Sequence, residues 1–240
     1  MTRLSEIELL GLSGGPLAAV AFVTLIVLLL TYAGIYNARR RRELERLLPT
    51  LGFHRIEKPG AELVTDELFY PNGFESQEKQ GGYGSIARVP MAWSGQIGER
   101  GVVLMDVSIR RSKPVGADKS LDRTVIRHVP QDGAPPDFMI HEWVLLKGQI
   151  RGARAIGGPA EIGRHYYLFS DAPDEALVPW ITTDLRGQLE EHRLWRIAAH
   201  DGVLYLSRGT VPLRPSDLPD VLAEGEALLD GLLAGSRPVG

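Results

Sequence analysis

The chain has no cysteine, and it has no charge over one long stretch near its beginning. Without cysteine it can form no disulfide, thiolate zinc site, iron–sulfur cluster or cysteine nucleophile, and this composition suits a reducing compartment. The strings GxxxxGK[ST], GxSxG and HExxH are absent as well. The familiar phosphate-loop, serine-hydrolase and zinc-protease signatures are therefore excluded.

The uncharged stretch runs from Leu9 to Ala38, and its most apolar part is 16–36. A helix rising ~1.5 Å per residue needs about 20 apolar residues to cross a ~30 Å hydrocarbon layer. The sequence therefore predicts one transmembrane helix over 16–36. A cleaved signal peptide is an alternative, but its positive charges would precede the apolar stretch, and that stretch is usually about half as long. A buried core helix is the other alternative.

Charge on either side of this segment predicts its orientation. Residues 1–15 contain one arginine and two glutamates, whereas 37–58 contain seven Lys or Arg and three Glu. Because basic flanks stay in the cytosol, we expect 1–15 to be an extracytoplasmic tail and the rest to be cytosolic, at the inner membrane. The predicted interface residues are two tyrosines and four consecutive arginines: Tyr32, Tyr36, Arg39, Arg40, Arg41 and Arg42. The arginines are also expected to contact anionic lipid headgroups.

Beyond the anchor, helical spacing of leucines predicts a basic stalk helix over 37–50, stopped by Pro49. A cytosolic α+β domain is predicted over 51–236, with a mostly antiparallel sheet and C-terminal helices packed on it. Strands are expected at 53–57, 86–97, 102–111, 123–129, 138–146, 165–169, 194–199 and 203–207. Asp201-Gly202 is a strong hairpin-turn signal. Helices are expected from Glu175 to His192, broken near Pro179 or Gly187, and after a cap at Ser216 or Asp217.

No residue pattern in the chain predicts a catalytic, cofactor or metal site. The string from Gly82 to Ala87 fits GxGxxG/A, but it follows a polar run and leads into a strand, so a glycine-rich turn is the better interpretation. Histidines occur at His54, His128, His141, His165, His192 and His200, without ligand spacing. The four tryptophans are expected in the core: Trp93, Trp143, Trp180 and Trp195. The mildly acidic remainder makes nucleic acid an improbable partner.

The chain resembles a family of uncharacterised bacterial single-pass membrane proteins. The residues that carry the resemblance are Arg39-Arg40-Arg41-Arg42-Glu43-Leu44 before Leu51-Gly52-Phe53, His165-Tyr166-Tyr167-Leu168, Asp174-Glu175-Ala176, Trp195 before Asp201-Gly202, Leu204-Tyr205-Leu206, and Leu218-Pro219. The resemblance covers about half of the cytosolic domain and implies a membrane-tethered domain of unknown function. It supplies no catalytic residue.

Two kinds of function remain open. The first is a non-enzymatic accessory or scaffolding subunit of a larger membrane complex, photosynthetic or respiratory for example, with no cofactor of its own. Small residues would let its helix approach others closely: Ala18, Ala19, Ala21 and Gly34. The second is a membrane-tethered enzyme or ligand-binding domain built from dispersed residues such as His128, His141 and His165. A third possibility is a sensor that reads lipid charge through Arg39–Arg42.

Overall fold

A computed structural model describes most of the 240-residue chain. The described residues are 14–60, 63, 85–111, 119–131, 133–142, 153–155, 166–170, 172–192, 194–209 and 212–234. The chain divides into two compact units, residues 1–47 and 48–240. The predicted strand residues 143–146 and the string Gly82-Tyr83-Gly84 lie outside the described residues.

Helix α1 runs from Gly14 to Thr50 without a break, as the predicted membrane and stalk segments together require. Its end differs from the expectation, because Pro49 lies inside the last turn and does not stop the helix. The stop is Gly52, whose φ of 80° is left-handed. The backbone N–H of Phe53 donates to the Leu48 carbonyl at 3.0 Å, and that of Gly52 donates to the Pro49 carbonyl at 3.1 Å. This paired arrangement is a Schellman C-cap, which glycine favours.

The described residues of the second unit form one sheet of nine strands, seven of them with four residues or more. They are β1 His54–Arg55, β2 Ser85–Ile97, β3 Arg100–Arg111, β4 Lys119–His128, β5 Phe138–Glu142, β6 Ala153–Ala155, β7 Tyr166–Phe169, β8 Trp195–His200 and β9 Val203–Arg208. Their order is β1-β2-β3-β4-β9-β8-β5-β7-β6. Every neighbouring pair is antiparallel.

In the described part of the domain, the α-helices that follow or interrupt the strands are α2 Asp174–Leu177, α3 Thr183–Glu191 and α4 Leu218–Leu233. The helix expected from Glu175 is interrupted between Leu177 and Thr183, at the first of its two expected break positions, Pro179, and Trp180 and Ile181 within the interruption are both buried. The break is not at Gly187. The side-chain cap expected for α4 is also wrong, because Asp217 makes no capping hydrogen bond. Its carboxylate instead accepts a hydrogen bond from the Ser216 hydroxyl at 3.0 Å.

Alternating side chains give the sheet two buried faces. On one face, Leu104, Ile126 and Leu206 are nearly inaccessible, and Gly225 of α4 lies against Ile126. On the other face, a second apolar cluster contains Val89, Ala92, Met105, Val107, Val125, Met139, Ala198 and Tyr205. The two buried faces and the C-terminal helices confirm the predicted α+β class. The hairpins β2–β3 and β8–β9 are confirmed, whereas β1 is shorter than expected and β4 begins earlier.

A close contact between α3 and α4 predicts the effect of one small substitution. A Cβ added to Gly231 of α4 would lie 2.8 Å from the Cα of Leu185 in α3. Because backbone cannot move aside cheaply, Gly231→Ala should destabilise the domain by about 1–3 kcal/mol. Gly187 of α3 is the matched control, since nothing lies within 4 Å of its added Cβ. Gly187→Ala should instead stabilise the domain by roughly 0.5–1 kcal/mol. Urea unfolding of both variants, followed by tryptophan fluorescence, measures the difference.

Candidate functional site

The apolar part of α1 is the most distinctive surface of the first unit. Its best 18-residue window has a mean hydropathy of 2.4, and none of that window is buried. The hydroxyls of Thr24 and Thr31 donate to the Val20 and Val27 carbonyls, each at 2.8 Å, so both side chains are satisfied within the helix. By length and composition this helix can cross a membrane, as can a signal sequence near an N-terminus. Its span and orientation therefore stay predictions.

The predicted interface and packing residues all lie on α1. Tyr32 is 71% exposed and Tyr36 is 45% exposed. A helix turns about 100° per residue, so Ala18 and Ala21 share one face, whereas Gly34 lies on nearly the opposite side from Ala18. Nothing lies within 4 Å of a Cβ added to Gly34. Whether these small residues pack on a neighbouring helix stays a prediction.

Arg39, the first residue of the arginine run, forms an ion pair. Its Nε donates to Glu43 Oε1 at 2.8 Å, one turn along the helix. The hydrogen bond and the charge of Glu43 raise the pKa of the Arg39 guanidinium above its usual value. The pair is exposed, so it stabilises the helix only slightly.

A polar cluster missed by the sequence analysis lies at the β8–β9 turn. His200 Nδ1 lies 2.9 Å from Asp137 Oδ2, and His200 Nε2 lies 3.5 Å from Asp201 Oδ2. The backbone N–H of Asp201 also donates to Asp137 Oδ1 at 3.1 Å. Pairing of β5 with β8 brings these residues together, because the register sets Phe138 opposite Ala199. His200 and Asp137 are 63 positions apart in the sequence, so only knowledge of the β5–β8 pairing could have predicted this cluster.

The arrangement of Asp137, His200 and Asp201 has an immediate structural role. Asp201 has a φ of 49°, which is unusual outside glycine, and it begins the two-residue turn that Gly202 completes. The Asp137 carboxylate holds both the turn amide and the imidazole, so it clamps the hairpin to β5. One donor atom from each of the three side chains lies within 4.8 Å of the others. A divalent cation could bridge that spacing, yet His200 and Asp137 are already hydrogen bonded to each other without one.

Of the three histidines expected to contribute to a dispersed site, His128 is the one whose side chain is described. His128 is buried, and its Nδ1 lies 2.9 Å from the Gly101 carbonyl oxygen. Burial lowers the pKa of His128, partly offset by the Gly101 hydrogen bond, and the nearby Arg100 charge lowers it further. The ring is therefore neutral at neutral pH. His141 is described only as a backbone position in β5, and His165 lies outside the described residues.

Register also separates His128 from the new cluster. His128 of β4 is opposite Leu204, whereas His200 of β8 is opposite Val203. Successive residues of β9 point to opposite faces, so His128 and His200 lie on different faces of the sheet. They cannot share one ligand.

A second polar cluster joins α4 to the first residue of β8, Trp195. Glu224 Oε2 accepts a hydrogen bond from Trp195 Nε1 at 2.8 Å, and Oε1 lies 3.1 Å from Arg208 Nη1. His192 Nδ1 lies 3.9 Å from the same carboxylate. Trp93, Trp180 and Trp195 are all buried, as expected, and Trp143 lies outside the described residues. The Glu224 cluster is thus partly exposed and fixes α4 to the buried indole of Trp195.

The elements define a class of protein: an α+β domain that follows an apolar helix of membrane-spanning length. No protein-family model, curated protein or solved structure matches the chain. The resemblance to uncharacterised single-pass membrane proteins stays a prediction.

Proposed function

We propose that this chain is a non-enzymatic, single-pass accessory or scaffolding subunit of a larger bacterial membrane complex. Its helix anchors it in the inner membrane, and its cytosolic domain docks on a partner. An energy-converting complex, photosynthetic or respiratory, is the kind of assembly expected. The observation that carries the proposal is the apolar segment of α1, whose most apolar 18-residue window is left uncovered by the described residues. Apolar surface of this length is stable only against lipid or another protein.

The polar clusters of the domain support a structural role. In the described part of the chain, Glu224 is bonded to Trp195 and Arg208, and Asp137 is bonded to His200 and to the Asp201 amide. A third network lies in the core, where Thr124 donates to Asp106 at 2.7 Å and accepts from the Leu213 amide at 3.0 Å. In each cluster the polar atoms stabilise contacts between elements. Such groups hold a fold together, whereas a catalytic group needs an atom directed at a substrate.

The proposal is tested by extracting the tagged full-length chain from its native membranes with a mild detergent after brief cross-linking. We expect it to migrate with one membrane complex at constant stoichiometry. A monodisperse monomer that binds a small molecule would contradict the proposal. That result would favour the alternative, a tethered enzyme or ligand-binding domain, for which the Asp137–His200–Asp201 cluster is the place to look.

Orientation is tested in the same membranes, and the absence of native cysteine removes any labelling background. A membrane-impermeant maleimide should label Ser5→Cys in intact cells and Glu175→Cys only after lysis. The opposite pattern would place the domain outside the cytosol.

A further inference from the structure

The arginines after the apolar segment are not equivalent, because each successive residue is turned about 100° around the helix. Arg39, Arg42 and Arg46 fall within roughly 60° of one another, whereas Arg40 and Arg41 each lie about 130° from the centre of that face. We call Arg39, Arg42 and Arg46 the arginine stripe. A shallow groove of ≈ 550 Å³ follows the stripe and is lined by Ile35, Ala38, Arg39, Arg42, Glu43 and Arg46.

Charge within the stripe is only partly compensated. Glu43 pairs with Arg39 at 2.8 Å. Among the described residues, no carboxylate pairs with Arg42 or Arg46, and both side chains are exposed. These two arginines are four residues apart, so their like charges face each other on the helix surface and repel. An anion held between them would remove that repulsion, and a guanidinium matches a phosphate with two parallel hydrogen bonds.

The height of the stripe suits the phosphates of a lipid layer. With Tyr36 at the edge of the hydrocarbon, the Cα atoms of Arg42 and Arg46 lie about 9 and 15 Å further along the helix. The polar layer on each side of a bilayer is only about 5–8 Å thick. Side chains on a helix lean toward its N-terminus, which is here the membrane end, so both arginines reach back toward that layer. The groove also continues onto Ile35 and Ala38, which suit the apolar part of a lipid.

We infer that Arg42 and Arg46 together bind the phosphate of an anionic phospholipid, such as phosphatidylglycerol, in the cytosolic leaflet. This inference rests on the proposed membrane span and orientation. Arg39 contributes less because Glu43 already occupies its Nε. We call Arg42 and Arg46 the arginine clamp. It is a specific site on one face of α1, whereas a general attraction to a negative surface would involve all the arginines equally.

Lipid selectivity of the reconstituted full-length chain tests this clamp. The chain is placed in phosphatidylcholine vesicles with trace spin-labelled phosphatidylglycerol or phosphatidylcholine, and the fraction of motionally restricted label is measured for each. The wild type should prefer the anionic label. One cation near the leaflet contributes on the order of 1 kcal/mol, roughly fivefold, so Arg42→Gln with Arg46→Gln should abolish most of the preference. Arg42→Lys with Arg46→Lys keeps the charge but loses the paired hydrogen bonds, and should retain an intermediate preference.

Arg41→Gln is the matched control for Arg42→Gln, since it removes the same charge at nearly the same depth from another face. We expect Arg41→Gln to lose clearly less selectivity than Arg42→Gln. Equal losses would show a diffuse attraction and overturn the clamp, as would a wild type without any anionic preference. Resistance to alkaline carbonate is measured alongside. A wild type that carbonate releases would overturn both the span and the clamp, whereas a resistant wild type with equal losses would overturn the clamp alone.

Discussion

Aspartate at both Ile26 and Leu29 should release the chain from the membrane. Both residues lie near the middle of the predicted span, and their side chains are exposed on α1. A charged residue at the centre of a membrane helix costs about 3 kcal/mol, and each lost Ile or Leu removes about 0.5 kcal/mol more. The double substitution therefore makes insertion less favourable by about 7 kcal/mol. Alkaline carbonate extraction should then move the chain from the pellet to the supernatant.

The matched control is alanine at the same two positions, which keeps the segment apolar and should leave the chain in the pellet. The intact mass of the wild-type chain separates the span from a cleaved signal sequence, because cleavage would remove the apolar segment. An aspartate pair that still resists carbonate would contradict the span, and so would a mature chain that begins after the apolar segment.

Local patterns were enough to predict the elements whose cause is local. The β8–β9 hairpin is an example: Asp201-Gly202 predicts a turn with two left-handed residues, and their φ values are 49° and 74°. The length of α1 was also predictable, because apolar and then leucine-spaced residues continue through 37–50 without a glycine. Its end was not, since Pro49 lacks only its own N–H and can be held in a last turn that Gly52 closes.

Features that depend on tertiary packing were not predictable from the sequence. The position of the break between α2 and α3 is one case, because Pro179 and Gly187 were both candidates in the sequence, and the structure places the break beside Pro179, where Trp180 and Ile181 are buried. The order of strands is another case. Strand β9 pairs with β4, although β5, β6, β7 and β8 lie between them in the sequence. The three-residue strand β6 falls in a glycine-rich interval, where the pattern of a strand is too short to see.

The polar clusters show the same division between local and distant causes. Asp137 precedes a strand and His200 ends another, so each alone is typical of a strand end. Only the pairing of β5 with β8 brings the Asp137 carboxylate next to the His200 imidazole. Arg39 and Glu43 are four residues apart, so their ion pair can be predicted from helical spacing alone.

Loss of the Glu224 carboxylate should destabilise the domain strongly. Its side chain is 16% exposed, and the indole of its partner Trp195 is 1% exposed. In Glu224→Ala the Trp195 N–H loses its acceptor where water has little access, and Arg208 loses its ion-pair partner. An unsatisfied buried donor costs about 1–3 kcal/mol, and the lost charge partner adds to this, so we expect destabilisation of about 2–4 kcal/mol.

Two further variants separate the hydrogen bond of Glu224 from its charge. Glu224→Gln keeps an acceptor for Trp195 and loses only the attraction to Arg208, so it should cost about 1 kcal/mol. Glu191→Ala removes an exposed carboxylate at the end of α3 and should change stability by less than about 0.5 kcal/mol. The urea midpoint of the full-length chain in detergent, followed by tryptophan fluorescence, gives the order. If Glu224→Ala and Glu191→Ala had equal midpoints, the carboxylate would not be what fixes α4 to β8, and apolar packing would have to do so alone.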